Sequence, residues 1–205
     1  MNASKILNLN EINFDKLNSE LRQGAVLCFV TDTVWGLGCL PDSKKGIDKI
    51  YEIKGRDRSK PLILMSDNMA SLRKYLKPLP DCAEKAVKKY FPGALTVIGE
   101  KSDLCSYDVT SNLNTVGIRV PDNSVFSLLC SKIDGRVLAT TSANKSGETP
   151  VNCIKEAQEK LGNLVDYIID DMGEKPLGIS STVALFSEKG YKVLRQGTIV
   201  LGDCN

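Results

Sequence analysis

The sequence predicts a mixed α/β fold, formed as one domain over residues 1–205. Three observations predict it. Short apolar runs of strand length alternate along the chain with segments of helical spacing. The alternation lacks a regular crossover rhythm, which argues for a mixed sheet rather than a purely parallel one. The 205 residues are 42% hydrophobic, which suits one compact core, and no internal repeat, low-complexity tract or Pro/Ser-rich linker divides them.

Phe14, Leu17 and Leu21 share one helical face, and Gly24 ends that segment. The apolar run at 25–30 reads as a buried strand. Residues 31–41 follow as a Gly-containing loop. Ser43 is placed to cap a helix reaching about Lys54, with Ile47, Ile50 and Tyr51 facing inward. Pro61 opens a second apolar run at 62–65, and helices are expected near 68–76 and 81–91. Residues 94–98 and 115–120 read as strands, 125–129 as a helix, and 137–141 as a strand entering a polar loop. A helix near 153–161 precedes strands at 167–169, 181–186 and 191–195.

Composition excludes several chemistries. Lys and Arg total 27 against 25 for Asp and Glu, a net charge of +2. A global basic field for nucleic acid is therefore absent, and only a local patch is left open. The chain has no histidine, which excludes Ser-His-Asp and Cys-His catalysis and His-ligated metals. Any enzyme here works through cations, hydroxyls, backbone N–H groups, carboxylates or its substrate's own groups. The seven cysteines are widely spaced, odd in number and without a Cys-x-x-Cys pair. A disulfide framework or zinc site is not expected, and most should be small buried hydrophobes. No apolar run approaches the roughly 18 residues of a membrane span, and the start lacks the apolar stretch of a signal peptide. A cytoplasmic address without membrane contact is expected.

Five segments carry candidate chemistry. Thr31-Asp32-Thr33-Val34-Trp35-Gly36-Leu37-Gly38 puts two hydroxyls and a carboxylate directly after a buried strand, where α/β sheets commonly bind ligands. It also reads as a glycine loop with a capping Asp. Lys54-Gly55-Arg56-Asp57-Arg58-Ser59-Lys60-Pro61 gathers four cations at a helix end. They suit a polyphosphate clamp, or equally a solvated C-cap. Thr140-Thr141-Ser142-Ala143-Asn144-Lys145-Ser146-Gly147 ends a strand in hydroxyls and an amide, fit for an anion or ribose, or simply for a turn. It is not a Walker A loop. Asn114 to Pro121 carries Arg119, which points either to solvent or inward, where it needs an anion such as a substrate carboxylate. Gly178-Ile179-Ser180-Ser181-Thr182-Val183, with Arg195-Gln196-Gly197, adds hydroxyls and a cation at strand edges.

In this order the segments resemble the YrdC family. The family's Thr-Asp/Glu-Thr-Val-Tyr-Gly-Leu, Lys-x-Arg, Pro-Gly-x-Leu-Thr, Val-x-Val/Ile-Arg-x-Pro, Ser-x-Asn, Ser-Thr-Val and Leu-Arg-x-Gly stand here at 31–37, 54–56, 92–96, 116–121, 142–144, 181–183 and 194–197. No single piece is specific; the ordered set is. The resemblance implies a twisted, open YrdC-like sheet with flanking helices and a concave basic face. It implies a reaction joining L-threonine, bicarbonate and ATP into threonylcarbamoyl-adenylate with release of pyrophosphate. A threonylcarbamoyl-transferase complex would then carry the group to an adenosine beside the tRNA anticodon, and a direct tRNA contact is left open.

By the same resemblance, Thr33, Arg119, Thr140 and Ser181 are threonine-site residues. Arg56, Lys60, Thr115, Ser142 and Arg195 are the ATP-site set, and Lys54, Arg56, Ser142 and Asn144 the catalytic set. Mg²⁺ is expected with ATP, held partly by phosphate oxygens; no protein-held metal is expected. The missing histidine fits, because threonine's carbamate is already a nucleophile and the protein mainly orients two anions. Trp35, Asp57, Lys60, Met65 and Thr141 depart from common family residues: Tyr, Pro, Asn, His and Pro respectively. The end just after Arg195-Gln196-Gly197 leads to the expectation of a short, single-domain form. Alternatives are a non-catalytic module binding nucleotide or RNA on the same face, and a carbamoyl-phosphate-linked domain of the hydrogenase-maturation type.

Overall fold

The structure is a computed structural model and describes residues 5–202; Cys204 and the first four residues lie outside them. The strands are β1 Lys5–Leu7, β2 Leu27–Phe29, β3 Gly36–Cys39, β4 Ile63–Ser66, β5 Leu95–Glu100, β6 Thr115–Arg119, β7 Val137–Ser142, β8 Tyr167–Ile169, β9 Thr182–Ser187 and β10 Gly190–Arg195. The α-helices are α1 Phe14–Arg22, α2 Lys44–Lys54, α3 Met69–Arg73, α4 Asp81–Tyr90, α5 Tyr107–Thr110, α6 Ser124–Lys132 and α7 Ile154–Leu161. The strands form one open sheet in the order β1-β8-β2-β3-β7-β4-β6-β5-β9-β10. Parallel pairs (β1 with β8, β8 with β2, β4 with β6, β5 with β9) are interspersed with antiparallel ones, so the sheet is mixed, as the irregular rhythm predicts.

Local signals account for most elements. Ser43 caps α2 by accepting from the Gly46 amide, and Gly55 ends it with φ of 53°, the left-handed conformation that glycine adopts without a Cβ penalty. Ile47, Ile50 and Tyr51 are buried along its inner face. Asn13, Asn68 and Asn123 cap α1, α3 and α6 in the same way. α3 stops at Arg73, shorter than its expected span.

Residues 31–41 are the main correction. A strand, β3, occupies Gly36–Cys39, between β2 and β7. Its glycines hide it from a propensity reading, and the structure supplies the reason for them. Phe29, fully buried on the neighbouring β2, pairs with Gly36, and its ring lies over both glycines. A Cβ on Gly36 would meet Phe29 Cε2 at 2.9 Å, and one on Gly38 would meet Cε1 at 2.8 Å. Gly38→Ala is therefore expected to cost about 1–3 kcal/mol through overpacking, read as a lower urea midpoint. Adding Phe29→Leu should recover part of the loss. An unchanged midpoint in the single variant would sink this account.

Cys28, Cys39, Cys105 and Cys130 are buried free thiols and Cys153 is half-buried, as expected of small hydrophobes. Cys82 departs from that expectation, being disulfide-bonded. No helix among the described residues is long and apolar enough to cross a membrane.

Candidate active site

A cleft of about 560 Å³ opens across the middle of the sheet. Residues two apart on several strands line it: Ile63 and Met65 on β4, Thr96 and Ile98 on β5, Thr140 and Ser142 on β7. Successive strand side chains alternate faces, so these belong to one face of the sheet. Register brings them together, Ile63 lying opposite Thr140 and Met65 opposite Arg119. Gly117, between Ile63 and Ile98 in register, keeps the floor open; a Cβ there would meet Ile63 Cγ2 at 2.8 Å.

Four cations line the cleft, Arg56, Lys60, Arg119 and Arg195, and no Asp or Glu is among its lining residues. Arg119, 2% exposed, donates from Nε to the Gly93 carbonyl at 2.9 Å and from Nη1 to Thr33 Oγ1 at 2.6 Å, and its Nη2 pairs with Asp32. Burial lowers its pKa, and Asp32 opposes that shift. Arg195 donates to the Ser181 carbonyl at 3.0 Å and to Ser181 Oγ at 3.1 Å, and Ser181 Oγ lies 2.8 Å from Thr96 Oγ1. Arg56 donates to Thr141 Oγ1 at 2.9 Å and to the Pro61 carbonyl at 3.1 Å. Burial lowers the pKa of both Arg56 and Arg195, and for Arg195 the nearby Arg56 adds to the effect. Arg56 and Arg195 are thus held close together on neutral acceptors, a setting that favours bound anions.

The four cations of 54–60 take different parts. Arg58 pairs with Asp48 at 2.7 Å and lies over the Tyr51 ring. The Lys60 carbonyl accepts from Tyr51 Oη at 2.8 Å, which seats its backbone while its side chain reaches the cleft. Lys54 is buried beneath the cleft rather than lining it. Its ammonium donates to the Ser142 carbonyl at 2.6 Å, the Asn144 carbonyl at 2.8 Å and Asn144 Oδ1 at 3.0 Å. Asn144 in turn accepts from Ser142 Oγ at 2.6 Å and donates to the Lys145 and Glu148 carbonyls. Lys54 and Asn144 thus shape the loop that presents Ser142.

A family model for Sua5, YciO and YrdC proteins, described as telomere recombination, matches residues 19–197. The chain belongs to the Sua5/YciO/YrdC family. It is 34% identical to the threonylcarbamoyl-AMP synthase of Bacillus subtilis over 94% of this chain and 56% of that protein. To the Vibrio vulnificus threonylcarbamoyl-AMP synthase it is 34% identical, over 80% of this chain and 89% of that one. Its fold matches that of Pyrococcus abyssi Sua5 complexed with L-threonine, with a TM-score of 0.84 and 30% identity over 95% of this chain and 58% of that chain. The chain therefore spans little more than half the length of the Bacillus and Pyrococcus relatives and most of the Vibrio one.

Of the residues selected by the YrdC pattern, Thr33, Arg56, Lys60, Arg119, Thr140, Ser142, Ser181 and Arg195 line this one cleft. Thr115 does not; it opens β6 opposite Glu100, on the face that alternation shares with Gly117 and Arg119. Thr96, Thr141 and Ser180 line the cleft without having been assigned a part. Thr96 had a readable signal, a hydroxyl between Leu95 and Val97 in an apolar stretch of β5. Thr141, one of the departures from the family pattern, supplies the hydroxyl that holds Arg56.

Proposed function

We propose that this chain forms threonylcarbamoyl-adenylate and pyrophosphate from L-threonine, bicarbonate and ATP. The observation that carries the reading is one cleft lined by four cations and several hydroxyls and by no carboxylate. Such a lining suits two anions brought together. Arg119 faces the amino-acid carboxylate, with Thr33 hydrogen-bonded to it and Thr140 and Ser181 lining the same cleft. Arg56, Lys60 and Arg195 face the triphosphate, and Ser142 lines the same cleft at the end of β7.

The chemistry needs no protein base. The neutral threonine amine forms an N–C bond with bicarbonate, whose C–OH bond breaks, and the products are a carbamate and water. A carbamate oxygen attacks the α-phosphorus of ATP, the bond to the β-phosphate bridging oxygen breaks, and pyrophosphate leaves with that electron pair. The protein holds the nucleophile near the phosphorus and balances charge on the leaving group. Mg²⁺ belongs to the reading as Mg·ATP, a substrate-borne ion on phosphate oxygens. Transfer of the threonylcarbamoyl group to tRNA by a separate complex, in the cytoplasm, completes the proposal; Thr115 stays in it as an outer ATP-site residue.

The test is pyrophosphate release by the purified chain. Release should require ATP, threonine and bicarbonate together. Arg56→Ala and Ser142→Ala should each slow it by about 10²-fold or more, the usual effect of removing a preorganised donor. Unchanged rates in both variants would remove the site assignment. Nucleotide binding without pyrophosphate release would replace the enzyme by a binding module.

A further inference from the structure

Asp32 does not line the cleft but pairs with Arg119, which does, and it has no part in the chemistry above. Its side chain is 13% exposed and pairs with Arg119, itself 2% exposed. A guanidinium has five N–H donors. Gly93, Thr33 and Asp32 take one each from Nε, Nη1 and Nη2. One donor on each terminal nitrogen is left, which is what a two-oxygen carboxylate requires. The Asp32 backbone has a second duty. Its carbonyl accepts from the Leu177 amide at 2.9 Å, and the next carbonyl, that of Thr33, accepts from Gly178 at 2.8 Å. Leu177 and Gly178 lie in the connection 170–181, which runs from β8 near one end of the sheet to β9 near the other and brings Ser180 and Ser181 into the cleft.

We propose that Asp32 is a positioning residue. Its carboxylate aims Arg119 at the substrate carboxylate, and its backbone seats the 170–181 connection beside the same cleft. The first half rests on the threonine-site reading above; the second does not. A buried cation with one fixed anionic neighbour keeps its charge and its orientation. Without that neighbour, Arg119 keeps only neutral acceptors, Thr33 Oγ1 and the Gly93 carbonyl, and faces the like charge of Arg195.

The experiment compares Asp32→Asn and Asp32→Glu with the native chain, in steady-state kinetics and in amide hydrogen exchange. Asp32→Asn is isosteric and removes only the charge. It should raise KM for threonine about tenfold or more while KM for ATP and kcat stay within about threefold, a split that marks loss of binding to one substrate. Asp32→Glu should recover much of the threonine KM. L-threoninamide, which lacks the carboxylate, should compete as weakly against the variant as against the native chain. In exchange, the Leu177 and Gly178 amides should be protected without any ligand in the native chain and in Asp32→Asn alike, because the backbone carbonyls that accept from them are unchanged by the substitution. A lower KM for threonine would mean that Asp32 competes with the substrate for Arg119, and the proposal falls. Equal increases in both KM values would reduce it to a general structural role and likewise overturn it. If the native chain forms no adenylate, the functional reading fails together with the carboxylate half. Exchange at Leu177 and Gly178 in the native chain then still decides the anchoring half, which fast, unprotected exchange at both amides would overturn.

Discussion

Arg119→Met is expected to abolish threonine-dependent pyrophosphate release and to destabilise the fold at the same time. Two charge-assisted hydrogen bonds to a carboxylate are together worth roughly 3–6 kcal/mol. The rate at subsaturating threonine should therefore fall about 10²–10⁴-fold. The stability loss has a different origin. Arg119 and Asp32 are both withdrawn from water, and removing one partner leaves the other as an uncompensated buried charge, at a cost of about 3–5 kcal/mol. Urea unfolding at neutral pH should show it as a shifted midpoint. The double variant Arg119→Met/Asp32→Asn separates the two effects. Its midpoint should move back toward the native value, because the orphaned carboxylate is gone, while the rate stays low. A double variant no more stable than Arg119→Met alone would contradict the buried-pair account, and a rate above one-tenth of native in Arg119→Met would contradict the assignment of Arg119 to the threonine carboxylate.

What the sequence made legible, and what it did not, follows from the range of each interaction. α2 is readable end to end because its cap, its inner face and its stop, Ser43, Ile47 with Ile50 and Tyr51, and Gly55, all act within a turn or two. β3 was not, because the reason for Gly36 and Gly38 is Phe29 on another strand. β1 and α5, with three and four residues, are too short for periodicity to register. The site divides the same way. That polar strand ends at 31–33, 140–144 and 180–182 belong together was legible from their type and order. Which hydroxyl holds which cation was not. Thr141 meets Arg56 across 85 positions, and Asp32 meets Arg119 across 87. Sheet register decides such pairs, and no local pattern encodes it. The Lys-x-Arg spacing also concealed a division of labour. Two positions apart around Gly55, Lys54 turns under the 142–144 loop while Arg56 turns into the cleft.

Lys54→Met tests that division and should produce the second large effect. Lys54 is 2% exposed, and its ammonium ties three oxygens of Ser142 and Asn144. Burial, with Arg56 nearby adding to it, pushes its pKa from 10.5 down to about 8. At about 1.4 kcal/mol per unit, that is a penalty of roughly 3 kcal/mol on the charged form. Methionine relieves the penalty and loses the three hydrogen bonds, so the net change in stability should be small, within about 2 kcal/mol. The loop carrying Ser142 loses its organiser, and the rate should fall about 10²-fold or more. The pH dependence separates function from stability by sign. Between about 8 and 10.5 the unfolded chain holds the Lys54 proton more tightly than the folded one, so the contribution of this group to stability rises with pH. Activity should do the opposite, falling as the ammonium is lost near pH 8. Lys54→Arg stays charged throughout. Its alkaline limb should shift upward relative to the native chain, at a lower absolute rate. Taking the ratio of the two profiles cancels the titration of the threonine amine. Parallel alkaline limbs in native and Lys54→Arg chains would show that Lys54 is not the group whose deprotonation disarms the loop.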